Sequence, residues 1–293
     1  MSRRPVGWID VVVGAACAAL VLWLGYLMGS RVRYNWNWSV IPQFFFYYDE
    51  AGSRWVPNLI VKGFLMTIKL SVWATLLATP LGVLTALLRI GRNLVGRLLG
   101  RTYVELVRNM PPLVLVYIVY YFVSDQLVRA LGVETLLLSL GPGMQGFLEG
   151  CCAPVTKMPV FASAVFMLAI YEGAYIAEIV RAGVQSIDRG QWEASSALGF
   201  TRLQQLRHVI FPQALARTLP PYAGQVISTI KDSAIVSVIS IPELTFQGLE
   251  IMASTYRTFE IWITITALYF VLTFTCSLGV QRLEAALGAR RGY

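Results

Sequence analysis

The amino-acid sequence predicts an all-α integral membrane protein, and two observations lead to this prediction. Hydrophobic residues make up 56% of the 293 residues and charged residues only 14%, against roughly 25% charged in an ordinary soluble domain. A soluble domain of this length could not cover its surface with so few charges. The apolar residues also fall in long runs, and a helix needs about 20 such residues to cross a bilayer.

Six apolar runs are predicted to form transmembrane helices. The first follows Arg3 and Arg4, but it is longer than the apolar core of a signal peptide and no small-residue cleavage site follows it. We therefore expect this first helix to be retained. The predicted spans are Val11–Gly29, Leu59–Leu88, Asn109–Ser124, Pro159–Ile179, Arg217–Ile241 and Ile261–Gln281.

The arginines and lysines indicate how these helices are oriented. If the N-terminus is cytoplasmic, 15 of the 24 basic residues lie in cytoplasmic segments, six lie in external segments and three lie at or near membrane depth. Basic residues are enriched on the cytoplasmic side of membrane proteins, so we expect both termini in the cytoplasm. The net charge of +8 is then an orientation signal, and no nucleic-acid partner is expected.

The sequence contains no motif typical of a catalytic, metal or nucleotide site. It has a single histidine, His208, and neither H-E-x-x-H nor G-x-S-x-G occurs. Gly91 and Gly96 have the spacing of a phosphate-binding loop, but Arg97 and Leu98 follow where Lys and Ser or Thr belong. We therefore expect no enzyme activity, no metal and no cofactor bound by this chain.

The most informative segment, residues 190–212, is predicted to form two short cytoplasmic helices separated by Gly199. Glycine suits the left-handed conformation that often follows a helix C-terminus. Thr201 and Gln204 have the spacing of a capping box, which predicts where the second helix begins. Pro212 is predicted to end or kink that helix. A helical hairpin between two spans is suited to docking a soluble partner.

This segment resembles the EAA loop of ABC importer permeases, in which Glu-Ala-Ala, a glycine and Ile-x-Leu-Pro follow one another at fixed spacing. Here Glu193 opens the match and Val209 to Pro212 close it, with every spacing kept. The resemblance implies that the loop docks into a separate ATPase subunit, which binds ATP and magnesium. The residues assigned to this coupling loop are Gly190, Glu193, Ala194, Ser195, Gly199 and Pro212.

Further segments are similar to signatures of the polar amino-acid uptake permeases within that family. They are residues 63–71, 103–111, 174–186 and 231–233. The resemblance implies a five-helix type I ABC importer permease core, to which the N-terminal helix adds a sixth span. We expect three parts: 1–58 with the first helix and an external aromatic-rich loop, 59–285 as the permease core containing the coupling loop 188–212, and 286–293 as a basic cytoplasmic tail.

The resemblance implies an ATP-driven importer that moves polar amino acids across the bacterial cytoplasmic, or inner, membrane. Its implied partners are an ABC ATPase dimer, a second permease that is identical or paralogous, an external solute-binding protein and membrane lipid. One alternative is the same kind of importer for another small solute. The other is an ion-coupled secondary transporter, although such a carrier has no use for an ATPase-docking hairpin.

Charged residues within the predicted spans indicate where a polar substrate passes, because an ionised side chain at bilayer depth is costly and is usually retained for function. Asp232 could accept the substrate ammonium group and Lys231 could meet its carboxylate, with Glu172 facing the same cavity. The alternative is that Lys231 and Asp232 satisfy polar groups of the protein itself.

Glu178 and Arg181 are three residues apart, so they face the same side of one helix and are predicted to interact. They lie near the cytoplasmic end of their span, where they could form a gate or a brace for the coupling hairpin. The alternative is a surface ion pair that contributes little energy.

Overall fold

The computed structural model describes residues 7–31, 34–124, 126, 130 and 132–289. The chain divides into two units, Met1–Val40 and Ile41–Tyr293. The first contains helix α1 and a 3₁₀ turn, Trp38–Val40. The end of the predicted basic tail, residues 290–293, lies outside the described residues.

The described residues are almost entirely helical, which confirms the all-α prediction. The α-helices are α1 Trp8–Arg31, α2 Pro42–Phe45, α3 Leu59–Ile90, α4 Leu94–Asn109, α5 Pro112–Ile118, α6 Val133–Leu138, α7 Pro142–Cys151, α8 Met158–Gln185, α9 Arg189–Ala197, α10 Arg202–Gln205, α11 Phe211–Asp232, α12 Leu244–Thr255 and α13 Thr258–Ala289. Two π-helical turns, Val119–Ser124 and Leu206–Ile210, and two further 3₁₀ segments, Val155–Lys157 and Ser233–Ile239, join some of these helices.

Within the described part of the chain, four helices are long and apolar enough to cross a membrane: Trp8–Leu27, Leu59–Ile90, Val155–Gln185 and Thr258–Arg282. Helices Arg202–Ile239 and Leu244–Thr255 meet at a 50° bend and would form a fifth span together. The predicted span Asn109–Ser124 corresponds to a shorter apolar helix, Pro112–Phe122. The total of six spans therefore stays a prediction.

Small residues let α3 and α8 pack closely in the second unit. A β-carbon built on Gly82 would lie 2.6 Å from the Ile176 side chain and 2.9 Å from the carbonyl oxygen of Gly173. The Tyr103 hydroxyl on α4 donates a hydrogen bond to the Ile170 carbonyl at 2.6 Å. These contacts fix the helix pair that carries Glu172 and, nearer the predicted cytoplasmic end, the Glu178 side chain.

The aromatic-rich segment predicted to be an external loop contains a short β-hairpin instead of irregular chain. Strand β1, Phe46–Asp49, pairs antiparallel with β2, Arg54–Pro57, and Tyr48 lies opposite Trp55. Their rings meet edge to face at 5.6 Å between centroids, an arrangement that stabilises cross-strand aromatic pairs. The sequence prediction of an all-helical chain missed this hairpin.

Candidate functional site

In the coupling loop, residues 188–212, each of the two helices α9 and α10 starts with a side-chain cap. The Asp188 side chain accepts a hydrogen bond from the Gly190 backbone N–H at 2.6 Å, which starts α9. Gly199 has φ +77°, so it adopts the predicted left-handed conformation. The Thr201 backbone N–H donates to Gln204 Oε1 at 2.8 Å, and the Gln204 N–H points back to Thr201 Oγ1. The predicted turn and capping box are therefore confirmed.

The second helix of the hairpin differs from the prediction, because it is not short. Helix α10 runs through the π-turn Leu206–Ile210 directly into α11. Pro212 lies in the first turn of α11 and does not end the helix. A proline ring normally clashes with the carbonyl four residues earlier. The preceding π-turn shifts the hydrogen-bonding register and so accommodates the proline.

Buried and paired side chains hold the two arms of the hairpin together. Ser195 is buried, and its hydroxyl donates to the Trp192 carbonyl at 3.0 Å. The Arg202 guanidinium lies over the Trp192 ring, 4.0 Å from its centroid. Gln205 donates to the Phe200 carbonyl at 3.1 Å. These contacts hold α9 against α10 in one fixed geometry.

The tip of the hairpin carries apolar side chains that nothing in the described chain covers. Leu198 and Leu203 are each 75% exposed, and Phe200 between them is also exposed. Glu193 is exposed as well and pairs with Arg189 at 2.9 Å, which is an i,i+4 helix contact of small energy. A cluster of exposed apolar side chains framed by charges is typical of a protein-binding surface.

Glu178 lies at the centre of a cluster of three arginines contributed by three helices. Arg181 on the same helix binds both of its carboxylate oxygens, which confirms the predicted contact. Arg89 of α3 pairs with Glu178 Oε2 at 2.6 Å, and Arg108 of α4 approaches it at 4.0 Å. Only 12% of the Arg89 side chain and 25% of the Glu178 side chain are exposed. The cluster therefore joins α3, α4 and α8 and is not a surface ion pair.

Sequence reasoning missed Arg89 and Arg108 as partners of Glu178, because the sequence marks them only as basic residues of a cytoplasmic segment. They lie 89 and 70 positions before Glu178, and no spacing rule links residues that far apart. The Arg108 guanidinium also lies over the Tyr175 ring at 5.4 Å. This second contact fixes α4 against α8.

Two of the three predicted substrate-path residues lie together in the membrane-spanning part. Glu172 is fully buried and accepts a hydrogen bond from Gln225 Nε2 at 2.7 Å. Asp232 and Thr229 lie close enough to Glu172 to interact with its carboxylate electrostatically. Lys231 is exposed, in contrast to the buried Glu172. Gln225, Thr229 and Asp232 are spaced four and three apart, so helical periodicity could have revealed this polar face of α11.

Comparison with known proteins identifies the family that has this architecture. Residues 78–290 match the family model described as "Binding-protein-dependent transport system inner membrane component". This match covers more than two thirds of the 293 residues. The chain belongs to this family. It is therefore a membrane-spanning permease subunit of an ABC importer and not an enzyme, since the ATPase of such an importer is a separate subunit.

Similar permeases match this chain over most of its length. The glutamine transport system permease protein GlnP of Escherichia coli (strain K12) is 34% identical over 255 residues, covering 86% of this chain and 97% of GlnP. The probable glutamine ABC transporter permease protein GlnM of Bacillus subtilis is 33% identical over 230 residues, covering 78% and 94%. A crystal structure of an amino acid ABC transporter with histidines superposes with a TM-score of 0.62 at 34% identity, covering 78% and 94%.

The permease also contains a buried glutamate that sequence reasoning missed. Glu243 is fully buried at the bend before α12 and accepts hydrogen bonds from the backbone N–H groups of Thr245 and Phe246, both at 2.8 Å. The Tyr269 hydroxyl of α13 donates to the same carboxylate at 2.8 Å. The Thr67 hydroxyl of α3 lies 3.4 Å from it. Glu243 therefore caps α12 and ties it to α3 and α13.

Proposed function

We propose that this chain is the permease subunit of an importer that moves polar amino acids into the cytoplasm. The observation that carries the proposal is the hairpin 188–212, whose exposed Leu198, Phe200 and Leu203 form an apolar tip next to the turn at Gly199. Such a tip suits a groove on a separate ATPase. The amino-acid substrate is supported by the similar permeases, two of which are named as glutamine permeases.

Six residues are proposed to couple the hairpin to the ATPase. Gly190 and Gly199 shape its backbone, Glu193 and Ala194 are exposed, and Ser195 is buried between its two helices. Gly199 at the turn permits the positive φ, and the Asp188 side chain caps the start of α9 by accepting a hydrogen bond from the Gly190 N–H. Movement of the ATPase would then reach the spans through α10 and α11, which form one continuous helical run. The residues are Gly190, Glu193, Ala194, Ser195, Gly199 and Pro212.

The substrate path is proposed to pass the polar face of α11. Asp232 and Glu172 supply carboxylate oxygens for a substrate ammonium group, and the buried Glu172 Oε1 has no hydrogen-bond partner among the described residues. Gln225, about two helical turns before Asp232, extends this polar face and donates a hydrogen bond to Glu172. Lys231, exposed in the single chain, is proposed to meet the substrate carboxylate.

Glu178 and Arg181 are proposed to brace the coupling hairpin and not to form a moving gate. Arg89 and Arg108 add contacts from two further helices to the same carboxylate. A carboxylate shared among three guanidinium groups is a rigid junction, because each charge-assisted contact restrains it in a different direction. A gate residue would need to exchange partners during transport.

The complete importer is proposed to contain two permeases, two ATPases that bind Mg-ATP and one external solute-binding protein. The second permease is either a copy of this chain or a paralogue. The proposed location is the bacterial inner membrane with both termini cytoplasmic, which the excess of arginine in the predicted cytoplasmic segments supports. In this orientation the coupling loop faces the cytoplasm, where ATP is available.

Reconstituted transport tests the proposal. The permease is placed in proteoliposomes with its ATPase and its solute-binding protein, and uptake of labelled glutamine, glutamate, arginine and histidine is measured. We expect ATP-dependent uptake of at least one of these amino acids, with no uptake when the ATPase is omitted. Uptake that needs an ion gradient but no ATP, or transport of none of the four, would contradict the proposal.

A further inference from the structure

We propose that the predicted cytoplasmic end of the α3–α8 pair binds one anionic phospholipid, with its phosphate in an arginine-lined pocket and an acyl chain in the adjoining apolar groove. The inference concerns a lipid site and goes beyond the transport function proposed above. It rests on two neighbouring cavities that share a wall. Their complementary chemistry matches the two ends of a single lipid molecule.

The first cavity, here named the arginine pocket, has a volume of about 450 Å³. It lies between the C-terminal ends of α3 and α8, the first turn of α4 and the starts of α9 and α10. No aspartate or glutamate is among its lining residues in the described part of the chain. The residues that give it its charge and its aromatic side are Arg89, Arg97, Arg189, Arg202 and Trp192.

The second cavity, here named the apolar groove, has a volume of about 410 Å³. From Val83 to Ile90 it follows α3 for about 10 Å, since a helix rises 1.5 Å per residue. Val180 and Ile210 also line it, as do the arginines Arg92, Arg202 and Arg207. Its walls offer almost only hydrocarbon, so it suits an acyl chain and offers little to a polar ligand.

The two cavities meet at Ile90, Gly91, Val184 and Arg202, which line both of them. A ligand that fills both must therefore be anionic at one end and apolar at the other. The groove lies along two helices that are long and apolar enough to span a membrane. Lipid is the ligand of this chemistry that surrounds such helices. Basic pockets between transmembrane helices at the cytoplasmic side are known to suit anionic headgroups.

Positive charge in the arginine pocket exceeds what the neighbouring carboxylates neutralise. Glu178 pairs with Arg89, and Glu193 pairs with Arg189 at the exposed surface. Arg202 stacks on the Trp192 ring at 4.0 Å, a geometry that leaves its N–H groups at the edge free to donate. A planar guanidinium binds phosphate through two parallel hydrogen bonds, so these groups fit a phosphate ester better than a sugar or an amine.

Lipid binding to the purified permease–ATPase complex tests the inference. Native mass spectrometry measures how much palmitoyl-oleoyl phosphatidylglycerol or phosphatidylcholine stays bound to each permease. We expect the wild-type complex to retain one phosphatidylglycerol per permease and to release phosphatidylcholine. Equal retention of the two lipids would overturn the proposal.

Variants outside the proposed coupling loop locate the lipid. The double variant Arg92→Gln/Arg97→Gln removes one arginine that lines the groove and one that lines the pocket. It should weaken phosphatidylglycerol retention by about fivefold per arginine. The matched control Arg101→Gln/Arg282→Gln removes two exposed arginines that line neither cavity, and it should bind lipid as the wild type does. Leu87→Trp fills the groove at a half-exposed position and should also lower retention while leaving every arginine in place.

Two further measurements separate a lipid from other ligands. Soluble glycerol phosphate should compete with phosphatidylglycerol weakly, and the Leu87→Trp variant should not change its binding. If glycerol phosphate competes as well as the lipid, the site is a free-phosphate site and the proposal is wrong. The proposal is equally wrong if the arginine double variant loses the ATPase while it keeps the lipid. Thermal unfolding of every variant checks that the fold is intact.

Discussion

Gly199 fixes the turn of the coupling hairpin, and its substitution isolates a backbone effect from a packing effect. Its φ of +77° lies in the left-handed region, and a β-carbon built there meets no atom within 4 Å. A side chain at this position therefore costs energy only through the backbone, about 1–2 kcal/mol for an ordinary L-residue. Asparagine visits this region several times more readily than other non-glycine residues. Proline cannot adopt it, because its ring fixes φ near −65°.

These differences predict an order among the Gly199 variants. Gly199→Asn should couple almost as well as the wild type, and Gly199→Ala should weaken ATPase binding by roughly 5-fold to 30-fold, the factor that corresponds to about 1–2 kcal/mol. Gly199→Pro should abolish coupling, because it also loses the N–H that donates to the Ser196 carbonyl at 3.0 Å. The assays are the affinity of the detergent-solubilised permease for its ATPase and ATP-driven uptake in proteoliposomes.

The matched control is Gly224→Ala on α11. This glycine has no positive φ, and a β-carbon added to it would meet no atom within 4 Å, so alanine should be tolerated there and should favour the helix. If Gly199→Ala and Gly199→Pro bind the ATPase and transport as the wild type does, the turn plays no part in coupling. If Gly199→Asn is as defective as Gly199→Pro, the φ argument is refuted.

Three further perturbations probe the contacts that hold the helices together, each read from thermal unfolding of the purified permease. Gly82→Ala places a methyl group 2.6 Å from Ile176 and should destabilise the protein by about 1–3 kcal/mol through overpacking; an unchanged unfolding temperature would show that α3 and α8 do not pack this closely. Glu178→Ala leaves Arg89, Arg108 and Arg181 without their shared carboxylate and should lower the free energy of unfolding by about 3 kcal/mol. Arg181→Ala should lower it less, and the reverse order would contradict the role of Glu178 as a brace. Glu243→Gln replaces one acceptor oxygen with a donor that faces backbone N–H groups, and it should lower the free energy of unfolding by about 1–3 kcal/mol. Glutamine has the same shape as glutamate, so a cavity is excluded as the cause. Stability equal to that of the wild type would show that the carboxylate does not cap α12.

Local signals in the sequence determined the hairpin and its caps. Gly199, Thr201 and Gln204 act on neighbours within four residues, and a turn or a capping box depends only on such short spacings. The contact between Glu178 and Arg181 was predictable for the same reason, because residues three apart on a helix share a face. The apolar runs likewise revealed the long helices, since composition alone decides whether a segment suits hydrocarbon.

Tertiary structure alone decided which distant residues share a site. Arg89 reaches Glu178 across 89 positions, Gln225 reaches Glu172 across 53, and Thr67 approaches Glu243 across 176. Such pairs depend on how helices cross and on small residues that let them approach, and neither property has a spacing signature in one sequence. The π-turn before Pro212 and the β1–β2 hairpin were missed for a related reason: the continuing helix and the partner strand override the local preference for a break or a loop. The sequence thus determined where the long apolar helices and the turn of the coupling loop lie, whereas the packing of α3, α4, α8, α11 and α13 decided which charges meet.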